Sequence, residues 1–192
     1  MTSTPLICKK VILIFMVSDT HMHRLFFALW PNNQVRQSII DLLPAVPVSG
    51  NCRITQPEDL HITLHFIGQV THEVKDCLHH AALSIKNKPF IVNLNCLGDF
   101  NKAKICWMGC QDRPVELMLL RDKLGEPLVN CGYQIESRDY KPHVTLMRKC
   151  TTPVDSIQDF VIPWFVEEFA LIESIPVSRG VSYQVIEKYP LA

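Results

Sequence analysis

The sequence predicts an α+β fold. Two patterns point there: segments that read as strands outnumber those that read as helices, and runs of neighbouring strands have an antiparallel look. Size and composition agree. The chain has 192 residues, 47% of them hydrophobic and 20% charged, which is an ordinary globular composition with enough chain for one sizeable core or two small lobes sharing a cleft. Disordered and collagen-like classes are excluded.

The elements follow in order. Residues 24–30 (RLFFALW) form an apolar, aromatic-rich strand that Pro31 ends. Asn32 then caps a helix whose apolar positions Val35, Ile39, Ile40, Leu42 and Leu43 fall at helical spacing, and Pro44, Pro47 and Gly50 close it. Residues 60–67 read as a strand stopped by Gly68, and Thr71 caps a helix running to about residue 85. Strands are expected at 90–97 and 104–110. A long helix is expected from Pro114 to about residue 131, kinked or split by Pro127, with Gly132 just past its end. Residues 142–148, 165–175 and 181–188 complete the strands.

Lys9 and Lys10 followed by the apolar residues 11–17 resemble a secretion signal, but there is no small-x-small cleavage site and the run is too short to span a bilayer. Residues 1–22 are therefore expected to be a disordered or dispensable extension, with translation starting at Met22 or nearby. The eight cysteines contain no C-x-x-C pair, so reduced, mostly buried thiols in a cytosolic protein are expected. Nineteen basic residues balance nineteen acidic ones. That balance argues against a protein that grips long nucleic-acid strands through their phosphates and leaves room for a local basic contact to one phosphate.

Two strand segments carry nearly the same words, Leu60-His61-Ile62-Thr63-Leu64 and Pro142-His143-Val144-Thr145-Leu146. Side chains alternate faces along a strand, so each His-Thr pair shares one face while its aliphatic neighbours anchor the other in a core. Two imidazoles can serve as acid and base near neutrality, and two hydroxyls can donate to phosphate oxygens. The pattern suits phosphoryl-ester chemistry without a metal. Alternation sets His65 on the His61–Thr63 face, where it could join the cleft as a third imidazole, although it is not counted among the site residues. His21, His23, His72, His79 and His80 read as surface or helix positions without a role. Phe66 and Arg148 each lie five residues after their His, so strict alternation would turn both away from the cleft unless the strands end or twist there.

The paired motifs resemble the 2H phosphoesterase superfamily. Together with Arg24-Leu25-Phe26-Phe27-Ala28-Leu29, Phe66-Ile67-Gly68 and Arg148, they are similar to its RNA 2',3'-cyclic phosphodiesterase branch, also called 2'-5' RNA ligases. The resemblance implies one bilobal domain over residues 23–192: two pseudo-symmetric lobes, each an antiparallel sheet flanked by helices, around a central cleft. It implies metal-independent, cofactor-free hydrolysis of a terminal 2',3'-cyclic phosphate to a 2'-phosphate, with reversible 2'-5' ligation as a further reaction. His61 would be the proton donor and His143 the proton acceptor. Thr63 and Thr145 would hold the phosphate, and Phe66 and Arg148 would contact the terminal nucleotide. Plain core packing remains the alternative for Phe66, and a surface salt bridge for Arg148. The implied partner is an RNA 3' end or a nucleotide bearing the cyclic phosphate, met in the cytoplasm by a monomer without membrane attachment. Two other readings stay open: a nucleotide-binding domain without turnover, and a cousin acting on 2'-5' oligonucleotides or ADP-ribose cyclic phosphate.

Overall fold

The computed structural model describes residues 22–47, 51–150, 159–178 and 180–192. Apart from Met22, the expected extension over residues 1–22 lies outside them, as do His21 and Cys8. The strands are β1 (His23–Leu29), β2 (Arg53–Ile54), β3 (Ile62–Val70), β4 (Phe90–Leu94), β5 (Cys96–Phe100), β6 (Ile105–Gly109), β7 (His143–Arg148), β8 (Ile162–Val166), β9 (Glu168–Val177) and β10 (Gly180–Pro190). The helices are α1 (Asn33–Leu42), α2 (His72–Leu83) and α3 (Val115–Leu128).

One antiparallel sheet runs β10-β9-β1-β3-β7-β6-β5, with β2 paired to β7, while β4 and β8 form a separate two-stranded sheet. The sheet falls into two halves of like design. In one, β1, α1 and β3 follow in order and β1 pairs with β3; in the other, β6, α3 and β7 do the same. The halves meet where β3 and β7 pair through Ile62 and Val144. The expected two lobes are thus halves of one sheet that narrows to this contact.

The sheet buries both faces of β1, which explains its unbroken apolar run. Leu25, Phe27 and Leu29 enter the main core with Ile62, Leu64, Val144, Leu146 and the helix residues Leu78, Leu117, Leu120 and Leu124. Phe26 and Ala28 pack on the other face with Ala170 and Ile172. Full burial of each large aliphatic or aromatic side chain is worth about 1.5–3 kcal/mol. The expected caps form: Asn32 Oδ1 accepts from the Val35 amide at 2.9 Å, and Thr71 Oγ1 from the Val74 amide at 3.5 Å.

Several expectations are corrected. The strand foreseen at 90–97 breaks at Asn95, where the chain leaves β4 for the other sheet. The Asn95 amide donates to the Gly109 carbonyl, and its side chain accepts from the Gln111 amide. Likewise 165–175 divides at Glu167 between β8 and β9. β3 runs through Gly68, which glycine permits because φ there is +88°. Pro127 does not split α3. It sits next to the last residue, so the helix ends one position later in a tight turn over Val129–Cys131 closed by Gly132 at φ +86°.

His23 is no surface position: it lies in β1 at 8% exposure, its Nδ1 2.7 Å from the Glu173 carboxylate. The cysteines are not all reduced thiols either. Cys77 of α2 and Cys131, past α3, form a disulfide across 54 residues, while Cys52, Cys96, Cys106, Cys110 and Cys150 are not disulfide-bonded. Among the described residues no helix is long and apolar enough to cross a membrane.

Candidate active site

The antiparallel pair Ile62–Val144 organises the site. Both side chains point into the core, so residues one position away on each strand stand on the opposite face. The register sets His61 across from Thr145 and Thr63 across from His143. All four line one cavity of about 550 Å³.

Each imidazole is held the same way. His61 Nδ1 lies 2.6 Å from the Asp59 carbonyl, and His143 Nδ1 lies 2.7 Å from the Lys141 carbonyl. A carbonyl only accepts, so Nδ1 carries the proton in both rings and Nε2 is left for a substrate. The turn Pro57–Asp59 before β3 and Pro142 before β7 aim these carbonyls back at the ring two residues on.

Matching bulges explain the residues that alternation misplaced. Along β3 the partners of Phe27 and Ala28 are His65 and Thr63, so Leu64 is an extra residue; along β7 the partners of Cys106 and Trp107 are Met147 and Thr145, so Leu146 is extra. After each bulge the faces exchange. Phe66 therefore returns to the cavity, 42% exposed, and Arg148 lines it too. Phe66 is thus not plain core packing. His65 moves the other way and does not join the cleft. It is 2% exposed, its Nε2–H donates to the Arg121 carbonyl at 2.7 Å, and its Nδ1 accepts from the Tyr133 hydroxyl at 3.1 Å.

The electrostatics oppose charge on both rings. Trp30 stacks on His61 with centroids 5.4 Å apart and planes 10° apart, while Phe26 and Tyr183 close in at 5.0 and 5.3 Å. Burial pushes the His61 pKa down to about 4. The Asp59 carbonyl opposes the shift, and His143 and Arg148 add to it. His143, against Phe100 and Trp107, is also lowered by burial, with Arg148 and Arg138 contributing. In the free protein both surroundings thus favour the neutral imidazole. A bound phosphate anion would raise both pKa values.

Sequence reasoning missed much of the wall. Arg24, Arg53 and Arg138 line the cavity with Arg148, against the single carboxylate Asp59, so a neutral chain holds a locally positive cleft. Alternation along β1 put Arg24 and Phe26 on one face and could have found both. Tyr183 comes from β10, far along the chain, with no local signal. Among the described residues no group of three or more His, Cys, Asp or Glu side chains is arranged to hold a metal ion.

Comparison with known proteins places the chain in a family. The family model of the 2'-5' RNA ligase superfamily matches residues 53–174. The chain is 28% identical over 171 residues to the RNA 2',3'-cyclic phosphodiesterase of Escherichia coli, covering 88% of this chain and 96% of the relative. It is 30% identical over 179 residues to the one from Thermus thermophilus, covering 88% and 90%. The crystal structure of E. coli LigT complexed with 3'-AMP superposes with a TM-score of 0.81 at 26% identity, over 89% of this chain and 99% of that one. With both motif strands inside the matched span and the fold shared over 89% of the chain, the chain belongs to the 2'-5' RNA ligase superfamily.

Proposed function

We propose that the protein hydrolyses the terminal 2',3'-cyclic phosphate of RNA to a 2'-phosphomonoester. The observation that carries this reading is the delivery of two His-Thr pairs, each with Nδ1 tied to backbone and Nε2 left over, to one arginine-lined cavity. The phosphate binds between the Thr63 and Thr145 hydroxyls and Arg148, and its charge lifts the depressed His61 pKa so that the ring takes up a proton from solvent. His143 Nε2 removes a proton from water as the water oxygen bonds to phosphorus. The bond from phosphorus to O3' breaks, and His61 Nε2–H supplies the proton to O3'. The products are a 2'-phosphate and a free 3'-hydroxyl. His61 ends neutral and His143 protonated, and exchange with solvent resets them. A 5'-hydroxyl in the water's place, deprotonated by His143 as it bonds to phosphorus while His61 protonates the departing O3', would give a 2'-5' linkage, and the groups exchange roles when that linkage is cleaved back to the cyclic phosphate. Phe66 stacks on the terminal base.

Under this reading residues 23–192 act as one monomeric unit without a metal, and residues 1–22 are dispensable. The place of action is the cytoplasm. The Cys77–Cys131 bridge opposes that location, because thiol-buffered compartments keep such pairs reduced; thiol trapping in intact cells tests it. The decisive test of the reaction is a short RNA ending in 2',3'-cyclic phosphate, incubated with chelator. A 2'-phosphate end, made equally by protein starting at Met22, supports the reading. Binding without turnover would make this a nucleotide-binding domain, and a 3'-phosphate would overturn the choice of leaving oxygen.

A further inference from the structure

Beyond Phe66 lies a second cavity of about 590 Å³. Phe66 borders both, and two chain segments contribute residues to each. On one side β3 supplies Thr63 and Phe66 to the cleft, then Ile67, Gln69 and Val70 to the groove. On the other side the segment leading into β7 supplies Arg138 to the cleft, then Glu136, Gln134 and Tyr133 to the groove. The two cavities are neighbours that share the Phe66 ring as a common border.

Their chemistry differs. Four arginines line the cleft, whereas no Lys or Arg lines the groove among the described residues. The groove's one carboxylate, Glu136, accepts from Arg138 Nε at 2.5 Å and from its terminal nitrogen at 3.2 Å, so its charge is compensated from the cleft side. What remains is apolar surface from Ile67, Val70 and Val74 with the carboxamides of Gln69 and Gln134. Such a wall suits a flat base with hydrogen-bonding edges and gives a phosphate no cation. It is also held in place. The Cys77–Cys131 disulfide ties the start of the second wall to α2, and the Tyr133 hydroxyl is engaged by buried His65. A preformed groove spares a ligand the cost of ordering it.

We propose that this groove binds the base of the nucleotide preceding the terminal one, so that the protein favours an RNA chain end over a free mononucleotide. The proposal rests on the RNA-end reading above. It places the terminal phosphate and its nucleotide among the arginines, lets the chain pass Phe66, and seats the preceding base against Gln69 and Gln134.

The test is equilibrium binding, so it does not depend on turnover. The full chain is titrated with 3'-AMP and with the dinucleotide ApAp, which carries the same 3'-phosphate. ApAp should bind about tenfold tighter, the scale of one stacked base. In Gln69→Glu/Gln134→Glu, which puts unpaired carboxylates on the groove wall at two exposed positions, that advantage should vanish while 3'-AMP binding is unchanged. Equal affinity for the two ligands, or an advantage that survives the double variant, overturns the proposal and leaves the RNA-end reading standing. Failure to bind either ligand overturns the proposal as well, and the RNA-end reading is decided separately by turnover of the cyclic-phosphate RNA.

Discussion

In the half built from β1, α1 and β3, the motif histidine stands among Phe26, Trp30 and Tyr183; in the half built from β6, α3 and β7, it meets Phe100 and Trp107. The backbones around the two are near copies. Each ring is fixed by the carbonyl two residues earlier, each strand bulges at the leucine three residues later, and each bulge returns the fifth residue to the cleft. The fifth residues differ: a phenyl ring over which Arg24 sits at 5.3 Å in one half, a guanidinium in the other. Repetition of the backbone thus presents two similarly held imidazoles in unlike surroundings. Under the proposed function, one half would hold a base and the other an anion.

Variants can break this comparison at several scales. The largest effect is expected for His61→Ala and His143→Ala, each lowering kcat about a hundredfold to ten-thousandfold. The double variant should be little worse than either single one, because the pair acts as a unit. Steady-state rates on a cyclic-phosphate RNA check this, and a single variant near full rate would dismiss that histidine from the chemistry. Phe66→Ala and Arg148→Ala should act on KM, each by about tenfold. They should separate by substrate: loss of the ring matters more for purines than pyrimidines, and loss of the guanidinium is blind to the base and weakens the dependence on salt. Identical profiles for the two would erase the division of labour.

The subtlest effect is on stability. An unfolded His61 takes up its proton near pH 6.5, whereas the folded ring holds out until about pH 4. Between those values the unfolded state binds more protons, so stability falls as the pH drops from 6.5 to 4 and is flat in this respect above 6.5. His143 shifts in the same direction. Denaturant midpoints measured across this range should slope less in His61→Asn than in the unaltered protein.

The two His-Thr pairs were legible because alternation on a strand is a strong physical rule and the words occur twice. Phe66 and Arg148 were legible only as residues, not as positions. The Leu64 and Leu146 bulges that place them fall within ordinary apolar runs, and nothing in Leu-His or Leu-Met announces an extra residue. The same bulge defeated the reading of His65, since one inserted position moves a side chain from cleft to core. The Cys77–Cys131 bridge had no spacing to betray it: its partners meet because α2 packs beside the end of α3. The cleft arginines come from four separate segments and could be gathered only by the fold.

The assignment of donor and acceptor is tested most directly by a 2',3'-cyclic phosphate substrate with sulfur in place of the bridging O3'. A thiolate leaves without needing a proton, so the step assigned to His61 becomes unnecessary while the activation of water by His143 does not. On this substrate His61→Ala should recover to within about tenfold of the unaltered protein, and His143→Ala should stay down by about a hundredfold or more. Recovery of His143→Ala with none for His61→Ala would reverse the two roles and contradict the account.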